Sequence, residues 1–217
     1  MKVIITLGPT QEPIDDVRYI TNASSGRMGA ALAEEGLRRG HKVTIVSGPV
    51  SIRLPKKAAV YRVRTAAEMT DRTISLLKGH DILVSTAAIA DYTPAKKASG
   101  KIKSGGSLRI RLKRTRKLIK EARRRHPRMF IVGFKAEHGI GRKRLVESAK
   151  KLLAESKLDL VVANDLKGGI FGSAATQAYM IDGKSIKPTG RVSKRQAARK
   201  IWSAIMEGLT ASGLTAP

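Results

Sequence analysis

Short apolar runs alternate with helix-forming stretches along this chain, and that order predicts an α/β fold. Val3-Ile-Ile-Thr-Leu7 reads as a buried strand, followed by a loop of about twenty residues and a helix-forming segment, Met28 to Arg39, closed by Gly40. Lys42–Ser47 and Ala58–Val63 are the next predicted strands. Thr65-Ala-Ala-Glu68 is a capping-box pattern opening a helix to about Lys78, and Asp81–Thr86 is a fourth strand. Ala87–Pro94 leads into a polar, glycine-rich stretch, Ala95–Ser107, predicted to be a mobile flap. Ser107–Leu112 alternates apolar and basic residues, the pattern of a half-buried strand. A basic helix to Arg125, a strand at Met129–Phe134, a helix at Arg142–Glu155 and a strand at Leu158–Ala163 follow. Gln177–Ile186 predicts a hairpin turning at Asp182-Gly183, and Arg195–Leu209 predicts a closing helix.

Strands alternating with helices predict a mainly parallel, twisted sheet with flanking helices and right-handed crossovers. No repeat or linker divides the sequence, so residues 1–217 read as a single domain. In such sheets ligands bind beyond the carboxyl ends of the strands. The loops after Leu7 and after Thr86 both start there and are predicted to line one cleft.

The loop Gly8–Ser25 is far longer than the roughly 2–6 residues of an ordinary strand–helix connection, which marks it as functional or disordered. Ser24-Ser25-Gly26 is predicted to cap the following helix while free N–H groups face an anion. Asn22 can donate and accept hydrogen bonds, and Arg18 can fork onto a phosphate or carboxylate. The plainer reading is a surface loop ahead of a well-capped helix.

Charge changes the picture in one respect. The net charge is +26, yet the first fifty residues are nearly neutral and the excess lies downstream. Arg109–Arg128 is the densest block, with Glu121 its only acid. This reads mainly as solvated surface with attraction for anionic substrates. At 4% aromatic residues the chain has little to stack on bases, which argues against a nucleic-acid-binding protein. No cysteine means no disulfide, thiolate metal site or cysteine nucleophile, and the four histidines form no ligand spacing. No apolar run reaches the roughly 18 residues of a membrane span, so a soluble protein is expected, and the lack of a signal-peptide pattern and of cysteine points to a cytoplasmic one. A nicotinamide-dependent reductase is the other alternative. It is disfavoured because G-x-G-x-x-G is absent after the first strand and the second strand ends Val46-Ser-Gly48 without an acid for a ribose.

Gly8-Pro-Thr-Gln-Glu-Pro-Ile-Asp15, Val17-Arg-Tyr-Ile-Thr-Asn22 and Ser24-Ser-Gly-Arg-Met-Gly29 resemble the signature of phosphopantothenate–cysteine ligase. The resemblance continues in order through Val46-Ser-Gly-Pro49, Ala87-Ala-Ile-Ala-Asp-Tyr92, Lys101-Ile-Lys103, Gly133-Phe134 and Ala163-Asn-Asp165. It implies a Rossmann-like nucleotide-binding fold with a flap and dimerisation strands, acting as a homodimer. It also implies the joining of 4′-phosphopantothenate to cysteine in coenzyme A biosynthesis. A nucleoside triphosphate, CTP or ATP with Mg²⁺ on its phosphates, activates the carboxylate as an acyl-nucleotide and releases pyrophosphate. CTP is the expected choice. A separate phosphopantothenoylcysteine decarboxylase is implied as a partner.

Carried over by position, the resemblance assigns Gly8, Ser24, Gly26, Gly29, Phe134 and Asn164 to the nucleotide. Asn22, Ala87, Ala88 and Asp91 match substrate contacts, and Arg18 matches one offered from the partner subunit. Asn22 and Lys101 match the catalytic positions, with Lys103 a rival for Lys101; no metal ligand is assigned to a side chain. Two departures stand out. Thr115-Arg-Lys117 lacks the proline many relatives carry, which bears on base preference, and Ala174-Ala175 follow Phe171-Gly-Ser173 where acids are common.

Overall fold

The computed structural model describes residues 1–167 and 175–214. The elements run β1 (Lys2–Leu7), β2 (Gln11–Pro13), β3 (Tyr19–Thr21), α1 (Arg27–Arg38), β4 (Lys42–Ser47), β5 (Ala59–Arg62), α2 (Ala66–Leu76) and β6 (Ile82–Ser85). They continue with β7 (Tyr92–Pro94), β8 (Leu112–Arg114), α3 (Leu118–Arg125), β9 (Phe130–Glu137), α4 (Gly141–Ser156) and β10 (Leu160–Asp165). β11 (Ala175–Ile181), β12 (Ile186–Ser193) and α5 (Lys194–Ala211) close the chain.

Eight strands form one sheet in the order β12-β11-β10-β9-β6-β1-β4-β5, parallel from β10 to β5 and antiparallel at β11 and β12. The chain steps from β1 outward through β4 to β5, then returns to the other side of β1 with β6. The order therefore reverses between β1 and β6, and a crevice opens beyond their carboxyl ends.

Successive side chains on a strand face opposite ways, so the apolar runs feed two cores. Val3, Ile5 and Leu7 point to one face with Leu32 of α1 and Trp202 and Ile205 of α5. Ile4, Leu83, Ile131 and Val161 point to the other with Met69 of α2, Ala122 of α3 and Leu145 of α4. Trp202 is fully buried against α1, where its indole N–H donates to Leu32 O at 2.9 Å. Gly36 permits this approach, since a Cβ there would meet the indole at 2.7 Å.

Most predicted elements are present, and α2 starts where the capping pattern places it. Thr65 Oγ1 accepts the Glu68 N–H at 3.2 Å, while the Glu68 carboxylate takes the Arg64 N–H rather than that of Thr65. Three expectations require correction. Ser107–Leu112 is not a half-buried strand: only Leu112 joins one, and Leu108, Ile110 and Leu112 are exposed because no second layer lies over them. The flap is not free along its length, because Ala98 N donates to Ile14 O and Gly100 N to the Asp16 carboxylate. The block Arg109–Arg128 is not uniformly solvated either. Arg123, nearly buried, donates to Lys157 O, Pro127 O and Met129 O and pairs with Asp159 at 2.6 Å. Phe171–Ser173 and Ala174 lie outside the described residues.

Candidate active site

The crevice between β1 and β6 is a cleft of about 510 Å³. One wall is backbone. Ala88 N donates to Gly8 O at 2.9 Å, Thr10 N to Ala88 O at 3.3 Å, and Ala90 N to the buried Thr10 hydroxyl at 3.0 Å. These bonds hold the two loops in register, so Ala87, Ala88 and Asp91 line the cleft together. Asn22 stands beside them with its amide Nδ2 donating to Ala88 O at 3.0 Å.

The second wall is the start of α1. Its first residue follows Gly26, which has φ 73°, and no side chain caps the helix. The expected serine cap is absent: Ser24 Oγ instead accepts the Gly26 N–H at 3.4 Å. A glycine in the left-handed region makes the turn without strain, and the helix start, Gly26 to Gly29, lines the cleft. Gly29 packs so tightly that a Cβ would meet Leu7 Cβ and Thr86 Oγ1 at 2.5 Å each. Gly8 sits behind this wall and is not in the lining; a Cβ there would strike Val50 at 2.7 Å. Its part is to let the strand tip pack against the loop after β4, at Gly48 and Val50.

The remaining wall comes from β9, β10, β11, β12 and α5. Phe134 packs partly on the core and partly lines the cleft, and Asn164 lies beside it on β10. Asp165, also in the lining, accepts N–H groups from Lys167, Gly139 and Gly141, which holds its pKa below the ordinary carboxylate value. Asp91 pairs with Lys117. Lys135, Lys167, Arg191, Lys194 and Arg27 complete the lining and make it strongly electropositive. None of these five was singled out from the sequence, because strand, turn and hairpin residues scattered over 168 positions are brought together only by the topology. The one local sign was a cation at the first position of a helix, at Arg27 and Lys194.

Arg18 and Lys101 lie outside this lining. Arg18 Nη2 donates to Ile102 O at 2.8 Å, and Asp15 accepts N–H groups from Val17, Arg18 and Ile102. Those N–H bonds, with that from Arg18 foremost, hold the Asp15 pKa below its ordinary value. The turn at residues 15–18 thus fastens both sides of Lys101, whose own side chain is exposed.

Residues 1–209 match the model for the DNA/pantothenate metabolism flavoprotein C-terminal domain. The chain belongs to that family. It is 40% identical over 206 residues to the coenzyme A biosynthesis bifunctional protein CoaBC of Thermococcus kodakarensis, covering 94% of this chain and 50% of that protein. The CoaBC of Bacillus subtilis is 42% identical over 175 residues, covering 80% and 42%. The chain therefore spans about half the length of these curated relatives. Among solved structures, the C-terminal domain of CoaBC aligns with TM-score 0.82 at 30% identity, covering 97% of this chain and 96% of that one. A Cab2 mutant in complex with phosphopantothenate-cysteine has the same fold, with TM-score 0.78 at 17% identity, covering 98% and 88%. The expected α/β fold is borne out, with a mainly parallel sheet and flanking helices.

Proposed function

We propose that this domain is a phosphopantothenate–cysteine ligase of coenzyme A biosynthesis, working through an acyl-nucleotide formed from CTP or ATP. The observation that carries this reading is the cleft at the β1–β6 switch point. There an uncapped helix start and an electropositive wall face one another, with the Asn22 amide held on Ala88 O just outside the lining. In the first step a carboxylate oxygen of 4′-phosphopantothenate attacks the α-phosphorus and the bond to pyrophosphate breaks. The cysteine amine then attacks the acyl carbon, nucleoside monophosphate leaves with its phosphate oxygen, and the amine proton passes to solvent. A carboxylate is ionised at neutral pH, so the first step needs no general base. Its barrier comes from bringing anions together, which positioned donors and cations lower.

Asn22, held on Ala88 O, is placed to orient the acyl group, with Ala87, Ala88 and Asp91 along the substrate. Ser24, Gly26 and Gly29 shape the helix start that receives phosphate, and Phe134 and Asn164 face the base and sugar. Lys101 reaches the reacting phosphate from the flap. Among the described residues no three His, Asp or Glu side chains cluster as metal ligands. Of the acids in the lining, Asp165 is occupied by N–H groups and Asp91 by Lys117, a donor set suited to Mg²⁺ held mainly by phosphate oxygens and water. There the cation would offset charge on the phosphates.

A homodimer fits the surface. Val17, Tyr19, Tyr92, Leu108, Ile110 and Leu112 are exposed on the adjoining β2–β3 and β7–β8 hairpins and the arm between β7 and β8. A partner there would cover them and bring its Arg18 near the cleft. The test is pyrophosphate release with 4′-phosphopantothenate, with and without cysteine, for each of the four nucleoside triphosphates. Release that depends on phosphopantothenate, with one nucleotide strongly preferred and CTP expected, supports the reading. No release with any nucleotide would overturn it.

A further inference from the structure

The flap Ala95–Ser107 divides into two halves that the fold treats differently. Its first half is held by residues 14–18. Ala98 N donates to Ile14 O at 2.9 Å, and Lys97 pairs with Asp16 at 2.6 Å. Gly100 exchanges hydrogen bonds with Asp16: its N–H goes to the carboxylate at 2.7 Å, and its carbonyl accepts the Asp16 N–H at 3.3 Å. Ile102 is held at both ends, its N–H by Asp15 Oδ2 at 3.1 Å and its carbonyl by Arg18 Nη2 at 2.8 Å. Beyond it, among the described residues, 103–107 are exposed and form no hydrogen bond or ion pair. Lys101 therefore stands exposed between two held residues, whereas Lys103 stands on the loose half.

Much of this grip falls on Asp15. Its side chain has no exposed surface, and a carboxylate is buried only where donors replace water. Oδ1 closes its own turn, accepting the Val17 N–H at 2.8 Å and the Arg18 N–H at 2.6 Å. An Asx turn needs no more than one oxygen, which asparagine also has. Oδ2 takes its N–H from a residue 87 positions away.

We infer that Asp15, with Asp16 beside it, positions Lys101 for the reaction by fixing the flap backbone on either side of it. This rests on the ligase reading and deepens it. A lysine at the reacting phosphate lowers the barrier only while its ammonium stays against the developing charge, and a misplacement of about 1 Å can cost on the order of a hundredfold. Anchors at Gly100 and Ile102 remove backbone freedom that the flap would otherwise lose in every turnover.

Asp15→Asn separates the two duties of the side chain. Its Oδ1 can still accept both N–H groups of the turn, while Nδ2 then meets the Ile102 N–H donor to donor. Pyrophosphate release at saturating substrates should fall at least about tenfold, with KM for 4′-phosphopantothenate within about threefold of wild type. In a Lys101→Gln background the same change should cost less than about twofold, because the lysine it positions is gone; a merely structural loss would multiply in full. Tryptic cleavage of the unliganded protein reads the anchor without any turnover. Wild type should be cut after Lys103 well before Lys101, and Asp15→Asn should bring the two rates within about twofold. Asp16→Ala, at a half-exposed carboxylate, should move both readouts the same way by about threefold, and it stands in if Asp15→Asn fails to fold. Wild-type turnover and cleavage order in the folded variants, or a full multiplicative loss with Lys101→Gln, would overturn the assignment while leaving the ligase reading intact. A wild-type protein that releases no pyrophosphate with any nucleotide would overturn the ligase reading and this role of Asp15 with it, whatever the cleavage order.

Discussion

The two ends of the parallel sheet treat charge in opposite ways. At the amino ends of the strands, ionised groups are consumed by the protein itself. Arg123 spends its guanidinium on three carbonyls and Asp159, which also accepts the Ile131 N–H at 2.7 Å. Glu35, buried at the end of α1, is gripped by Arg38 and Arg39, and Asp81 accepts the Lys2 N–H. At the carboxyl ends α1 begins without a side-chain cap, although α5 begins on a Ser193–Gln196 capping box, and both helices have a cation at their first position. Charge is paired within the fold at one end; at the other, Arg27, Lys135, Lys167, Arg191 and Lys194 gather along a single cleft.

The largest effect should come from breaking the amino end. Arg123→Ala strands the Asp159 carboxylate and three carbonyls, and should cost about 3 kcal/mol in urea unfolding. Nucleotide affinity of the folded fraction should not change. A loss below about 1 kcal/mol would return Arg123 to the solvated surface.

Next in size is Lys101→Gln at the flap. It should cut turnover about a hundredfold with little change in melting temperature, because a neutral amide cannot offset charge on a transferring phosphoryl group. If Lys103→Gln is the slow variant and Lys101→Gln is not, the reacting lysine has been misassigned.

Glu35 provides a pH test. Hydrogen bonds from Arg38, then Arg39, lower its pKa from 4.5 to about 2. A carboxylate depressed on folding adds stability above its unfolded pKa and loses it as pH falls through the folded one. Stability should therefore drop between about pH 5 and pH 2, by on the order of 2 kcal/mol after screening of the exposed Arg38. Glu35→Gln should flatten that part of the profile; an identical slope would assign the acid sensitivity elsewhere.

A smaller effect is expected at Asn22. Its side chain makes one hydrogen bond at the surface of the cleft, so Asn22→Asp should leave folding intact and slow product formation about tenfold, near 1.4 kcal/mol. Wild-type rates in a folded variant would remove it from the site.

The inner strands of the sheet were legible in the sequence because buried apolar runs allow few other placements, whereas β12 is mostly exposed and begins at Ile186, where the predicted hairpin ended. The turn at Asp182, whose carboxylate accepts the Lys184 and Ser185 N–H groups, was legible too. The hairpins β2–β3 and β7–β8 were not, since three-residue strands leave too short a pattern. The alternation at Ser107–Leu112 misled because it reports a surface that this chain does not itself bury. In the site, motif positions identified Asn22, Ala87, Ala88, Asp91, Phe134 and Asn164 on or beside the cleft. Arg27, Lys135, Lys167, Arg191 and Lys194 carry no spacing signal. Gly26 was read as part of a serine cap, whereas it is a left-handed residue at the helix start with no side-chain cap.

The contrast between the two ends can be measured in one experiment, amide hydrogen exchange with and without saturating CTP and Mg²⁺. The account predicts slower exchange at residues 22–29, 87–91, 134–136 and 191–197, and none at 80–81, 123–129 or 157–159. Protection centred on that second group, or spread evenly over both, would contradict it.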